Sequence, residues 1–216
     1  MKTQTAETQA NLTPGKALEI LKEGNRRFVN NLKINRNLLE QVNATKDGQF
    51  PFAIVLSCID SRTSAELIFD QGLGDIFSVR IAGNVLNNDI IGSMEFACKL
   101  AGSKLIVVLG HSRCGAVKGA CAGVEMGKLT ELLHKVHPSI ERVRTDMPNT
   151  DPTDPEFIKE VERQNVFVTI DHILKESPVL KGLVDTGEIG ITGGYYDVES
   201  GEVEFIKELV AESVTG

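Results

Sequence analysis

The run Phe52-Ala53-Ile54-Val55-Leu56-Ser57, followed at once by Cys58-Ile59-Asp60-Ser61-Arg62, sets the reading of the whole chain. A continuous apolar stretch of strand length, without polar alternation, suits a strand buried on both faces of a parallel sheet. Lys104–Gly110 (KLIVVLG) has the same character and runs into His111-Ser112-Arg113-Cys114-Gly115. Between the two, Asp75–Arg80 reads as another strand. Helical spacing covers about Ser64–Phe69 and Asp89–Ala101, the latter with Ile90, Ile91, Met94, Ala97 and Cys98 on one side. Strands alternating with helices imply an α/β fold.

Further helices are expected from Ser112 toward Val124, over about Leu129–Thr145, and from Pro155 to about Lys175, with Asp154 as cap and a turn-rich loop at 147–155. Ile189–Tyr196 and Val203–Ile206, separated by a short ESGE turn, read as a closing hairpin. The expectation is a mainly parallel central sheet of four strands plus a fifth, antiparallel edge strand, flanked by helices. Upstream, residues 1–13 read as a loosely held lead. Thr13-Pro14 opens an amphipathic helix carrying Ala17, Leu18, Leu21 and Phe28, and a short helix covers about Leu38–Thr45. Residues 1–45 thus form a lead and helical arm, packed on the domain or on a partner subunit, and 46–216 form the catalytic domain.

The 216 residues are 41% hydrophobic and 25% charged, with a net charge of -7. A chain of this length buries about 70% of its unfolded surface and needs no disulfides to hold a core. The acidic balance argues against a nucleic-acid surface. No apolar run reaches the roughly 20 residues of a membrane helix, and the polar start lacks a secretory h-region. A cytoplasmic protein is expected. Four cysteines (Cys58, Cys98, Cys114, Cys121) fit reduced thiols or metal ligands better than a disulfide framework.

The chemistry lies in where the two motifs fall. Sites in open α/β sheets form outside the carboxyl ends of the strands, and both motifs begin there. Either alone is weak, since a strand-end cysteine ahead of a capped helix is ordinary. Together they place two thiolates and an imidazole at one sheet edge. That donor set suits Zn²⁺, and three protein ligands (Cys58, His111, Cys114) leave a fourth position open, as catalytic sites do. Cys114, in the first turn of a helix, is favoured as thiolate. Arg62 can pair with Asp60 and hold its carboxylate beside the metal. Cys98 and Cys121 read as small buried hydrophobes, and His134, His137 and His172 as solvated surface. Arg80-Ile81-Ala82-Gly83-Asn84 reads as a loop near the site.

In sequence order, C-x-D-S-R, R-x-A-G-N and H-S-x-C-G resemble the beta-class carbonic anhydrases over about residues 14–210. The resemblance implies one Zn²⁺ per chain on Cys58, His111 and Cys114, with Asp60 and Arg62 as the catalytic dyad. It implies a homodimer or a dimer of dimers, with the active site near the subunit interface and CO₂/bicarbonate as substrate. Gln49 falls where the plant-like subgroup has a glutamine that bonds substrate oxygen from the neighbouring subunit. Phe77 matches that subgroup's pocket phenylalanine, Phe96 stands where many members have tyrosine, and Gly115 matches a glycine whose backbone faces substrate. Members with an allosteric bicarbonate site carry a tryptophan where this chain has Val55, and this chain has no tryptophan. Arg80 matches that site's arginine. The open form, with Asp60 paired to Arg62, is therefore favoured, and Val55 joins Phe77 and Phe96 as a candidate pocket residue.

The expected reaction is zinc-dependent reversible hydration of CO₂, rising with pH above neutrality. The rivals are hydrolysis of carbonyl sulfide or carbon disulfide on the same metal, and a non-catalytic zinc-binding or redox-sensing protein.

Overall fold

Five strands, β1 (Ala53–Ser57), β2 (Ile76–Arg80), β3 (Leu105–His111), β4 (Gly190–Tyr196) and β5 (Val203–Leu209), form one sheet in the order β2-β1-β3-β4-β5 in this computed structural model. The first four run parallel and β5 pairs antiparallel with β4, as expected from the hairpin. The structure describes residues 3–209; the ends of the expected lead (1–2) and catalytic domain (210–216) lie outside the described residues. The helices are α1 (Ala6–Ala10), α2 (Pro14–Val29), α3 (Leu38–Thr45), α4 (Ala65–Ile68), α5 (Asn88–Glu95), α6 (Gly115–Cys121), α7 (Gly127–His134), α8 (His137–Asp146), α9 (Pro155–Glu176) and α10 (Pro178–Asp185). Among the described residues, no helix is long and apolar enough to cross a membrane.

Strand alternation divides the core. Ile54, Leu56, Ile106, Val108 and Ile191 face α9, α10 and α5, meeting Val166, Ile170, Ile173, Leu180 and Met94. Ala53, Val55, Leu105, Val107 and Leu109 face α2, meeting Ala17, Leu18 and Leu21. The helix that opens the expected arm therefore lies directly on the sheet.

That contact is close. A Cβ added at Gly24 in α2 would lie 1.8 Å from the Phe69 carbonyl oxygen. Alanine at a helix interior is worth about 1 kcal/mol over glycine, whereas overpacking costs about 1–3 kcal/mol, and here the obstacle is backbone. Gly24→Ala is expected to lower the urea midpoint by an amount equivalent to about 1–2 kcal/mol. An unchanged or raised midpoint would show that α2 shifts freely.

Several local expectations are corrected. The lead contains α1, with Thr5 and Thr8 forming a reciprocal cap. The buried Gln9 amide donates to the Pro51 and Ala101 carbonyls, both at 2.8 Å, which ties the lead to the start of β1. Farther on, the buried Asp70 carboxylate accepts bonds from Arg27 (2.6 Å), the Ile34 N–H (3.2 Å) and Arg36. The helix expected over Asp89–Ala101 ends as α5 and continues as a π-helical turn, Phe96–Leu100. The single helix expected over Leu129–Thr145 is two, α7 and α8, because Pro138 is accommodated only in a first turn. Ser177-Pro178, where no element was expected, starts α10, with the Ser177 hydroxyl accepting from the Leu180 N–H at 3.1 Å.

Candidate active site

β1 and β3 are direct parallel neighbours, with Ser57 opposite Leu109, so the residues after each strand emerge side by side. His111 is still within β3, one residue beyond the expected strand end. Arg113 then takes a left-handed backbone (φ 58°), rare for a residue with a Cβ, and the chain turns into α6 with Cys114 at the cap position. Strain of this kind costs about 1–3 kcal/mol and persists where the surroundings over-determine it.

Cys58, His111 and Cys114 are all buried, and their donor atoms lie within 4.8 Å of one another. Among the described residues they are the group of three that can hold a metal. The His111 Nδ1 is 2.9 Å from the Ser112 carbonyl oxygen, which can only accept, so Nδ1 carries the proton. The lone pair is left on Nε2, which is buried and has no hydrogen-bond partner. An orphaned imidazole nitrogen beside two thiols is what a metal ligand requires.

The thiols interact directly. A hydrogen bond from Cys114, opposed by burial and aided by His111 and the Gly83 N–H, pulls the Cys58 thiol down. The same bond and burial push Cys114 up. The Gly83 N–H reaches Cys58 Sγ at 3.4 Å, which places the R-I-A-G-N loop against the site as expected. Cys98 and Cys121, pushed up to about 12 and about 11 by burial, fit their reading as inert hydrophobes. His134 and His137 are exposed and His172 is half-buried.

Asp60 and Arg62 form a two-pronged pair: Nε donates to Oδ1 at 2.9 Å and Nη2 to Oδ2 at 2.7 Å. The Arg62 side chain holds the Asp60 carboxyl well below the usual carboxylate range, with burial opposing. Arg80 binds the same loop through its carbonyls, donating to Cys58 O (3.0 Å) and Asp60 O (2.6 Å). The residue matching an allosteric arginine is thus engaged in fixing the C-x-D turn.

The remaining candidates sit elsewhere. Phe77 and Phe96 meet edge to face, with ring centroids 6.3 Å apart, in a shallow groove of about 590 Å³ also lined by Ile54 and Val79. None of the three metal-binding candidates lines it. Val55 points to the opposite sheet face and is fully buried against α2, so it belongs to the core there and not to this groove. Gln49 is exposed and precedes β1, whereas Cys58 follows it; Gly115 is exposed at the start of α6.

Two residues of the site escaped the sequence reading. Glu162 on α9, 3% exposed, accepts the Cys114 N–H on Oε1 and the Tyr195 hydroxyl on Oε2, both at 2.7 Å. Burial pushes its carboxyl up, and those two donors oppose the shift. Asn165, one turn on, donates to the Gly83 carbonyl at 2.8 Å. No local motif marks either; a polar residue on the sheet-facing side of α9 is the single hint.

The carbonic anhydrase family profile matches residues 53–203. Carbonic anhydrase 2 of Mycobacterium tuberculosis is 35% identical over 197 residues, covering 88% of this chain and 92% of the relative. The carbonic anhydrase of Mycolicibacterium smegmatis is 35% identical over 200 residues, covering 92% and 96%. Among solved structures, the beta-carbonic anhydrase CcaA superimposes with a TM-score of 0.71 at 25% identity, covering 88% of this chain and 95% of that one. Profile, relatives and fold agree with the paired strand-end motifs and their converging donors: the chain belongs to the beta-class carbonic anhydrases.

Proposed function

We propose that this enzyme catalyses the reversible hydration of CO₂ to bicarbonate, with one zinc ion per chain on Cys58 Sγ, His111 Nε2 and Cys114 Sγ. The observation that carries the reading is the unpartnered, buried Nε2 converging with two thiols beside a fixed Asp60–Arg62 pair. Zinc on these ligands supplies a Lewis acid that turns water into a nucleophile near neutral pH. The chain's own residues do the rest. Arg62 keeps the Asp60 carboxylate ionised and oriented, so it accepts a hydrogen bond from the attacking water and directs the oxygen lone pair toward the CO₂ carbon. Arg80 and Thr63 fix the turn that carries both Cys58 and Asp60, Thr63 through a 3.0 Å bond to the Cys58 carbonyl. Stopped-flow CO₂ hydration at pH 8.5, with zinc measured on the same sample, tests this. One zinc per chain with turnover supports it; stoichiometric zinc without CO₂ turnover but with carbonyl sulfide hydrolysis would transfer the site to the sulfur substrates.

The placement of Gln49, Phe77 and Phe96 supports a homodimer with shared sites. A five-residue strand spans about 17 Å, and Gln49 and the ligands lie at its opposite ends. These three residues therefore serve a neighbouring subunit's metal. Exposed Leu32, Leu38, Leu39 and Val42 in the N-terminal segment, and exposed Phe96 and Leu100, are apolar side chains that a second copy would cover. Mixing inactive Gln49→Ala and Cys58→Ala proteins is expected to restore activity, because each hybrid holds one intact site. No recovery from hybrids shown to form would place Gln49 at its own metal.

A further inference from the structure

We infer that Glu162 is the positioning residue that holds Cys114 as a metal ligand, by binding the backbone N–H of the residue that opens α6. The inference rests on the zinc reading above and concerns a buried carboxylate that the proposed reaction leaves unused.

A helix begins with backbone N–H groups that have no partner within the helix, and the cap residue's own side chain ordinarily supplies one. In α6 the cap residue is Cys114, and its own N–H is one of those groups. Its thiol lies with Cys58 and His111. The acceptor for that N–H comes from 48 residues away: Glu162 Oε1 takes it at 2.7 Å. The backbone of Cys114 is thus held from α9, and its side chain is left to the metal site.

The carboxylate is itself held. Its second oxygen accepts the Tyr195 hydroxyl at 2.7 Å from β4. The Arg163 guanidinium lies 5.0 Å from the Tyr195 ring centroid and donates twice to Glu204 on β5, at 2.8 and 2.9 Å. A chain of contacts from β5 through α9 and β4 thus ends on the Cys114 backbone. Burying a carboxylate is costly unless its oxygens are satisfied, and each oxygen of Glu162 has a short donor. A neutral residue would have filled the space at lower cost, so the contact is better explained by the ligand turn it fixes. Outer-shell partners of this kind change metal affinity by about 10–100-fold when removed.

The test uses zinc-loaded wild type, Glu162→Ala, Glu162→Gln and Tyr195→Phe, challenged with excess chelator while zinc release is followed optically. Glu162→Ala is expected to release zinc about 10–100-fold faster, and Tyr195→Phe to shift in the same direction by less. Glu162→Gln is expected to stay within about threefold of wild type, because its amide oxygen keeps the Cys114 bond. Cobalt substitution gives a second readout: the thiolate charge-transfer band moves in Glu162→Ala and not in Glu162→Gln. A merely structural contact would lower the melting temperature of zinc-loaded and zinc-stripped protein equally, whereas the inferred role lowers that of the loaded form more. Wild-type release rates in Glu162→Ala would overturn the inference; if that variant does not fold, wild-type rates in Tyr195→Phe would do so. Wild type that binds no zinc at all defeats the underlying reading instead, and the two failures are told apart on the same gel-filtered samples.

Discussion

His111→Ala is expected to leave the fold intact, strip the protein of zinc and lower CO₂ hydration by about 10³-fold or more, equivalent to about 4 kcal/mol of barrier. The imidazole is buried at the end of β3 and its one hydrogen bond is to the neighbouring Ser112 carbonyl, so removing it breaks no distant structural tie. It does remove one of the three donors that the described residues bring together there. Two thiolates alone do not define a tetrahedral zinc site. Cys58→Ala is expected to behave alike. Metal analysis of dialysed protein alongside stopped-flow rates checks both, and stoichiometric zinc with wild-type turnover in His111→Ala would remove this histidine from the ligand set.

Asp60→Asn carries the second large effect and separates chemistry from metal binding. The variant is expected to keep its zinc and lose about 10²-fold in kcat/KM, the low end of what a positioned proton acceptor contributes. The pH dependence follows from the direction of the Asp60 shift. A carboxyl held below its unfolded value contributes above that ordinary value and is lost only as pH falls through the depressed one. Asp60 is therefore ionised throughout pH 5–9, and a rise in activity across neutrality belongs to the acidity of the nucleophile, not to this residue. Arg62→Ala removes the largest cause of the depression. In that variant the Asp60 carboxyl itself, followed by NMR, is expected to titrate nearer the ordinary carboxylate range, about pH 4. A carboxyl that stays depressed in Arg62→Ala would show that Asp60 is held down by something else.

The parts of this site that could be read in the sequence share one property: each is local. Apolar runs without alternation marked β1 and β3, and the residues just after them had to share an edge once the strands were parallel. Asp60 and Arg62 are two positions apart, so their pairing needed no tertiary information. The unread parts are set by packing across the sheet. Glu162 reaches Cys114 only because α9 lies over β3 and β4. The groove of Phe77 and Phe96 faces away from Val55 because neighbouring residues of β1 point oppositely, which the alternation rule could have supplied. Helix breaks were missed for a simpler reason. Pro138 and Pro178 each sit in the first turn of a new helix, where proline starts structure; the first was read through as part of one run and no element was expected at the second.

The seat of α9 is made by glycines. A Cβ at Gly110 or at Gly193 would come within 2.6 Å of Val166, the residue of α9 that lies against the sheet. Any side chain there lifts the helix, and with it Glu162 and Asn165, off the cysteine turn and the Gly83 loop. Neither glycine has a group that could bind, donate or accept through a side chain. In a saturation screen scored by growth on the enzyme's activity, both positions would nonetheless rank beside the zinc ligands: chemically silent residues whose only contribution is to stay small.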